Sequence, residues 1–128
     1  MIENASSVAL HRLVLQGSID ELVEVLLNGE VDVNSVNNVG STSLHLAAML
    51  NDVETIKLLL KFGADVEAQN REGWTALHVA SQKDAYEAAA VLLNQGAETD
   101  VTDAAGRTPV FFANARVAEL FCSSRRPK

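Results

Sequence analysis

The chain has 128 residues, 48% of them apolar, with 17 acidic residues against 10 basic and a formal net charge of −7. That length suffices for one domain that buries most of its surface. No apolar run approaches the roughly 18 residues needed to cross a bilayer, and the acidic balance argues against the phosphate neutralisation on which nucleic-acid binding depends. Cys122 is the only cysteine, which excludes an internal disulfide and suits a reducing compartment. Met1-Ile2-Glu3-Asn4 lacks the basic n-region of a secretory signal, so Asn4-Ala5-Ser6 reads as a chance match to a glycosylation acceptor.

Residues 1–5 form a short lead-in, and Ser6 or Ser7 is placed to cap a helix with Val8, Leu10, Leu13 and Val14 on its apolar side. Gly17-Ser18 breaks it, and Ile19 through Leu27 predicts a second helix with Leu22, Val23, Leu26 and Leu27 apolar. Polar, turn-rich segments follow at Asn34–Ser41, Asn70–Trp74 and Asp103–Arg107, centred on glycines 40, 73 and 106. Asn37, Asn38 and Asp103 fit turns through side-chain to backbone bonds, and Thr42, Thr75 and Thr108 stand where helix N-caps belong. Helices are predicted at Ser43–Leu50 and Val53–Lys61, with Ile56, Leu59 and Leu60 inward, and again at Ala76–Lys83 and Tyr86–Asn94. Gly63 and Gly96 suit left-handed C-caps, whereas Glu30 holds that position in the first unit and makes its cap irregular. The stretch from Val117 to Cys122 is too short for a full second helix, so the last unit reads as a degenerate cap. The alternative is that the natural chain continues past Lys128.

The sequence repeats itself. Gly73-Trp74-Thr75-Ala76-Leu77-His78-Val79-Ala80 has a counterpart, Gly40-Ser41-Thr42-Ser43-Leu44-His45-Leu46-Ala47, 33 residues upstream. A weaker copy, Gly106-Arg107-Thr108-Pro109-Val110-Phe111-Phe112-Ala113, lies 33 residues downstream. Leu10-His11 aligns with Leu44-His45 at 34 while Leu26-Leu27 aligns with Leu59-Leu60 at 33, which puts one extra residue near Glu21, in or beside the inter-helix turn. A fixed period of this size marks stacked repeats. With Thr-x-Leu-His-x-Ala inside it, the sequence resembles the ankyrin-repeat family over nearly its whole length. The resemblance implies an all-α ankyrin-repeat solenoid of about four stacked helix-turn-helix units with projecting hairpin fingers. The units are placed at about 1–36, 37–69, 70–102 and 103–122, with a short basic tail at 123–128.

His11, His45 and His78 occupy one repeat position, about 10 Å apart in stacked helices, too far to converge at about 2 Å on one metal ion. The resemblance implies a structural histidine bonded to the threonine and neighbouring backbone. No phosphate loop, His-Glu-x-x-His, paired Cys-x-x-Cys or Gly-x-Ser-x-Gly appears, and the carboxylates at Asp20, Glu21, Asp52, Glu54, Asp65, Glu67 and Glu98 suit a solvated face or helix starts. No catalysis, cofactor or metal is expected.

Function is expected to be non-covalent binding of another protein or peptide by a monomer, in the cytosol or the nucleus, as an adaptor or inhibitor. The family binds partners with its fingers and the exposed face of each first helix. Carried onto this chain, those positions are Leu15, Asn38, Val39, Ser41, Met49 and Leu50, then Arg71, Glu72, Trp74, Gln82, Lys83, Arg107 and Arg116. Trp74, Leu50 and Met49 are expected to form a concave apolar patch rimmed by Arg71, Glu72, Lys83 and Arg107, in which truncating Trp74 weakens binding and spares the fold. The competing reading packs Trp74 against the next finger and leaves Met49 and Leu50 half-buried between helices. A different class of function, an assembly subunit docked through a C-terminal end rich in Phe111, Phe112, Leu120 and Phe121, is the alternative.

Overall fold

Among the described residues, seven α-helices and one short 3₁₀ helix stack in two layers. The computed structural model describes residues 5–29 and 31–124, with side chains described at 10–29 and 31–122. The inner layer holds α1 (Ala5–Gln16), α3 (Ser43–Met49), α5 (Ala76–Gln82) and the 3₁₀ helix Pro109–Phe112. The outer layer holds α2 (Ile19–Asn28), α4 (Val53–Lys61), α6 (Tyr86–Asn94) and α7 (Ala115–Ser124). Each inner helix packs on its own outer partner and on the inner helix of the next unit. The core is therefore a row of equivalent positions: Leu10, Leu44 and Leu77 in the inner layer, and Leu26, Leu59 and Leu92 in the outer, all buried. Inner helices carry alanine at 47, 48 and 80, small enough for close approach to both neighbours.

Outer helices end as their glycines predict. After α4, Gly63 takes a φ of 95° and its N–H bonds Leu60 O, while the Ala64 N–H reaches back to Leu59 O. Gly96 and Ala97 repeat this pair of bonds onto Leu93 O and Leu92 O, satisfying carbonyls that a helix end leaves open. The inter-helix turns hold an analogous left-handed residue, Gly17 in the first unit and the non-glycines Asn51 (φ 56°) and Asp84 (φ 57°) in the next two. Neither Asn51 nor Asp84 stands out by composition. Asn51 Oδ1 accepts from the Ala88 N–H of the following unit, at 2.8 Å. Because Ala85 at the start of α6 has no capping side chain, Asn51 supplies that helix's cap from the neighbouring unit.

The fingers are tight turns lying side by side. Asn37 Oδ1 accepts from the N–H groups of Val39 and Ser41, Asn70 Oδ1 from Glu72 and Trp74, and Asp103 Oδ1 from Ala105 and Arg107. One side-chain acceptor thus shapes every finger, at the 33-residue period. Neighbouring fingers are joined through backbone: Arg71 N–H donates to Val39 O (3.2 Å) and Ala104 N–H to Glu72 O (2.9 Å). Gly73 has a φ of 81°, and a Cβ there would lie 2.7 Å from the Ala104 nitrogen.

Three expectations give way. The residue added to the first unit is not among them: α2, which contains Glu21 and begins just after the inter-helix turn, has ten residues where α4 and α6 have nine. Leu27 is 70% exposed, because it sits about 100° around α2 from Leu26, which faces α1. The last unit's second helix is full length at ten residues, and it is the first helix that is reduced, to one 3₁₀ turn. There Pro109 donates no N–H and Thr108 makes no capping bond, while Asn114 Oδ1 caps α7 at the Val117 N–H and starts it early. The third is that α1 already includes Ser6 and Ser7, so neither caps it. Val8, Glu30 and the basic run Arg125-Arg126-Pro127-Lys128 lie outside the described side chains.

Gly73→Ala is expected to destabilise the chain by more than about 2 kcal/mol, since a left-handed backbone and a steric clash add. Gly106→Ala shares the positive φ (79°) but meets nothing within 4 Å, and it should cost only about 1 kcal/mol. Urea unfolding of the two variants checks the difference.

Candidate functional site

The conserved geometry between units is set by imidazoles. Thr42 caps α3: its hydroxyl accepts from the His45 N–H, while the Thr42 N–H (3.1 Å) and Oγ1 (2.9 Å) both face His45 Nδ1. Thr75 and His78 repeat the arrangement on α5. An Nδ1 facing two donors must be the acceptor, so each ring carries its proton on Nε2. That N–H donates to the next unit, from His45 to Trp74 O at 2.7 Å and from His78 to Arg107 O at 3.0 Å. His11 Nε2 makes the same bond to Ser41 O at 3.0 Å. Burial lowers the pKa of both His45 and His78, outweighing the opposite pull of their backbone carbonyls. These rings are spent on stacking, and among the described residues no group of three His, Cys, Asp or Glu could hold a metal ion.

The fourth unit breaks this chain of bonds, since Phe111 stands where histidine would be. Asp103 adds a second tie between the third and fourth units, beside the His78–Arg107 bond. Its buried carboxylate accepts at Oδ2 from the Trp74 Nε1–H (2.9 Å) and the Arg107 Nε–H (3.0 Å), with Arg107 Nη2 also 3.0 Å away. Burial would raise its pKa, but the bonds from the Arg107 backbone and guanidinium, the Ala105 N–H and the indole outweigh it and lower the value to about 2. The Trp74 ring packs on Phe112 at 5.0 Å between centroids, and the Arg107 guanidinium lies over the same Phe112 at 4.9 Å.

A concavity of roughly 530 Å³ opens between the first two fingers and the ends of α3 and α5. Val39, Ser41, Met49, Arg71, Glu72, Trp74, Gln82 and Lys83 line it, together with Asn70 and Val79, which sequence reasoning did not single out. Asn38 and Leu50 are exposed nearby in the chain but do not line it, and neither does Leu15, 53% exposed on α1. Two expected positions are corrected. Arg107 is no free rim cation, because its guanidinium is folded onto Asp103 and Phe112. Arg116 belongs to α7 in the outer layer, where it lies over the Tyr86 ring at 4.0 Å and 3.8 Å from Glu87; the shortened inner helix of the last unit moves it there. The indole of Trp74 is clasped by the next finger on one side and lines the concavity with the other.

The sequence matches the family model for ankyrin repeats (3 copies) across residues 10–103, and the chain belongs to the ankyrin-repeat family. Members of this family are generally protein–protein interaction modules and typically non-catalytic. A search of curated proteins finds no match. Among the described residues no helix is long and apolar enough to cross a membrane.

Two outcomes follow from these bonds. Since folded His45 and His78 resist protonation, the unfolded chain binds more protons just below pH ~6.5. Stability is therefore complete above that pH and falls as the solution is acidified through it. A second loss comes between about 3.8 and 2, where Asp103 is protonated first in the unfolded chain. Thermal melts across pH check both windows, and His45→Gln together with His78→Gln should flatten the first. Trp74→Phe keeps the ring and loses the bond to Asp103, and is expected to cost about 1–2 kcal/mol. Trp74→Ala should cost about 3 kcal/mol or more in unfolding measurements, because it also empties the contact with Phe112.

Proposed function

We propose that the chain binds a partner protein, or a peptide segment of one, on the concave surface formed by its fingers and inner helices, as a non-catalytic adaptor or inhibitor. The observation that supports this reading is the concavity between the first two fingers. It exposes two apolar side chains, Val39 (53%) and Met49 (37%), beside the open side of Trp74. Exposed apolar side chains grouped in a depression mark binding sites more often than scattered ones do. The surface is also rigid before contact, since its walls are tied by Arg71–Val39 and Ala104–Glu72 backbone bonds, so little ordering entropy opposes association.

A second reading, an assembly subunit docked through the last unit, is favoured by Phe111, 65% exposed, and by Gly106, where nothing covers the site of a Cβ.

Affinity capture from a cytosolic extract separates the two. The baits are the chain itself, Val39→Asp with Met49→Asp, Phe111→Ser, and Leu27→Asp as an outer-layer control, all matched for helical content. A partner held by the chain, Leu27→Asp and Phe111→Ser but weakened at least tenfold by the concavity variant supports the first reading; tenfold corresponds to about 1.4 kcal/mol. Loss with Phe111→Ser alone, and retention by the concavity variant, overturns it in favour of the second.

A further inference from the structure

The concavity carries charge of the opposite sign to the rest of the molecule. Its lining holds two cations, Arg71 and Lys83, and one carboxylate, Glu72, on a chain whose net charge is −7. Among the described residues the ion pairs are Arg107 with Asp103 and Arg116 with Glu87, so neither Arg71 nor Lys83 is neutralised by a side chain of its own protein. Lys83 is the C-cap of α5, and the helix end offsets roughly half a charge there, leaving the ammonium partly uncompensated. Arg71 is positioned by the neighbouring finger. Its N–H bonds Val39 O, and its Cγ lies 3.2 Å from where a Cβ on Gly40 would be, so its stem runs across the neighbouring finger.

Size sets the kind of occupant. A space of roughly 530 Å³ is in the range of a pocket that takes a short segment with one or two large side chains. Resting on the function proposed above, we propose that the occupant is a short acidic–apolar peptide segment: one large apolar side chain set against Trp74, Met49 and Val39, with an adjacent Asp or Glu facing Arg71 and Lys83. The apolar contact supplies the affinity. The unpaired cations select carboxylate neighbours and repel basic ones, and Glu72 adds to the penalty against a densely charged anion such as a phosphate.

Panning a phage-displayed random dodecapeptide library on the chain and on an Arg71→Glu, Lys83→Glu variant tests this, with Arg71→Gln, Lys83→Gln as the second variant should reversal disturb helical content. Peptides enriched on the chain should carry Asp or Glu next to an aromatic or aliphatic residue. Synthesised and titrated against Trp74 fluorescence, they should weaken as salt is raised and bind the reversed variant on the order of tenfold more weakly. Enrichment of basic or uncharged peptides, binding indifferent to charge reversal, or no enrichment over a bare surface each overturns the acidic-peptide assignment. The broader concave-surface reading is decided separately by the capture experiment, so the two failures are distinguishable.

Discussion

The second and third units of this chain are each joined to the next through an imidazole whose needs are met half by its own helix and half by its neighbour. The threonine hydroxyl and N–H occupy Nδ1, which forces the proton onto Nε2, and the only partner for that buried donor is a carbonyl in the following finger. A buried donor left unmet costs about 1–3 kcal/mol. The bond therefore does more than add its own net energy: it makes one finger position, at Ser41, Trp74 and Arg107, the register in which all three histidines are satisfied. The spacing of the fingers follows from that register, and the concavity between them follows from the spacing.

The fingers hold their shape through a second repeated acceptor, and its chemistry changes where the stack changes. Asn37 and Asn70 need only one oxygen to take two backbone N–H groups. At the same register Asp103 has a second oxygen facing the indole N–H and the Arg107 guanidinium, both donors. An asparagine amide would present a donor to donors in either orientation; a carboxylate accepts from all of them. The carboxylate thus adds, at the last junction of the stack, a second tie beside the His78–Arg107 bond. It also explains why Trp74 belongs to scaffold and surface together: its N–H and one face are committed to the fourth unit, and its remaining edge is available in the concavity.

The outer layer is tied by a different device. Asn51 caps α6 from the preceding unit, and Asn114, which caps its own α7, also donates to Asp84 Oδ1. Both ties involve the left-handed residue of an inter-helix turn. That backbone geometry turns the short side chain toward the next unit, where asparagine or aspartate can reach a helix start and a longer residue would overshoot. Stacking is thus maintained by polar contacts at defined points in both layers, around a core of small and medium apolar side chains.

How much of this was legible in the residue order depended on whether a feature repeats. The 33-residue period, the Thr-x-Leu-His pattern and the outer-helix glycines determined the all-α stack, nearly every helix boundary in the middle units and the membership of the family, because each is local chemistry printed several times. Eight of the thirteen candidate surface residues also fall on one concavity, since they were transferred by register and register survives stacking. Features that occur once were not legible. Asn51 and Asp103 look like ordinary turn residues until the unit that each bonds is in place. Arg107 looks like a rim cation until Asp103 and Phe112 are beside it, and Arg116 looks like a first-helix surface residue until the reduced helix at Pro109 leaves it in α7. The order of residues determined the unit and its repetition. Tertiary structure alone decided which polar groups are consumed between units and which are left for a partner, because that depends on donors and acceptors roughly thirty residues apart, whose pairing no local pattern records.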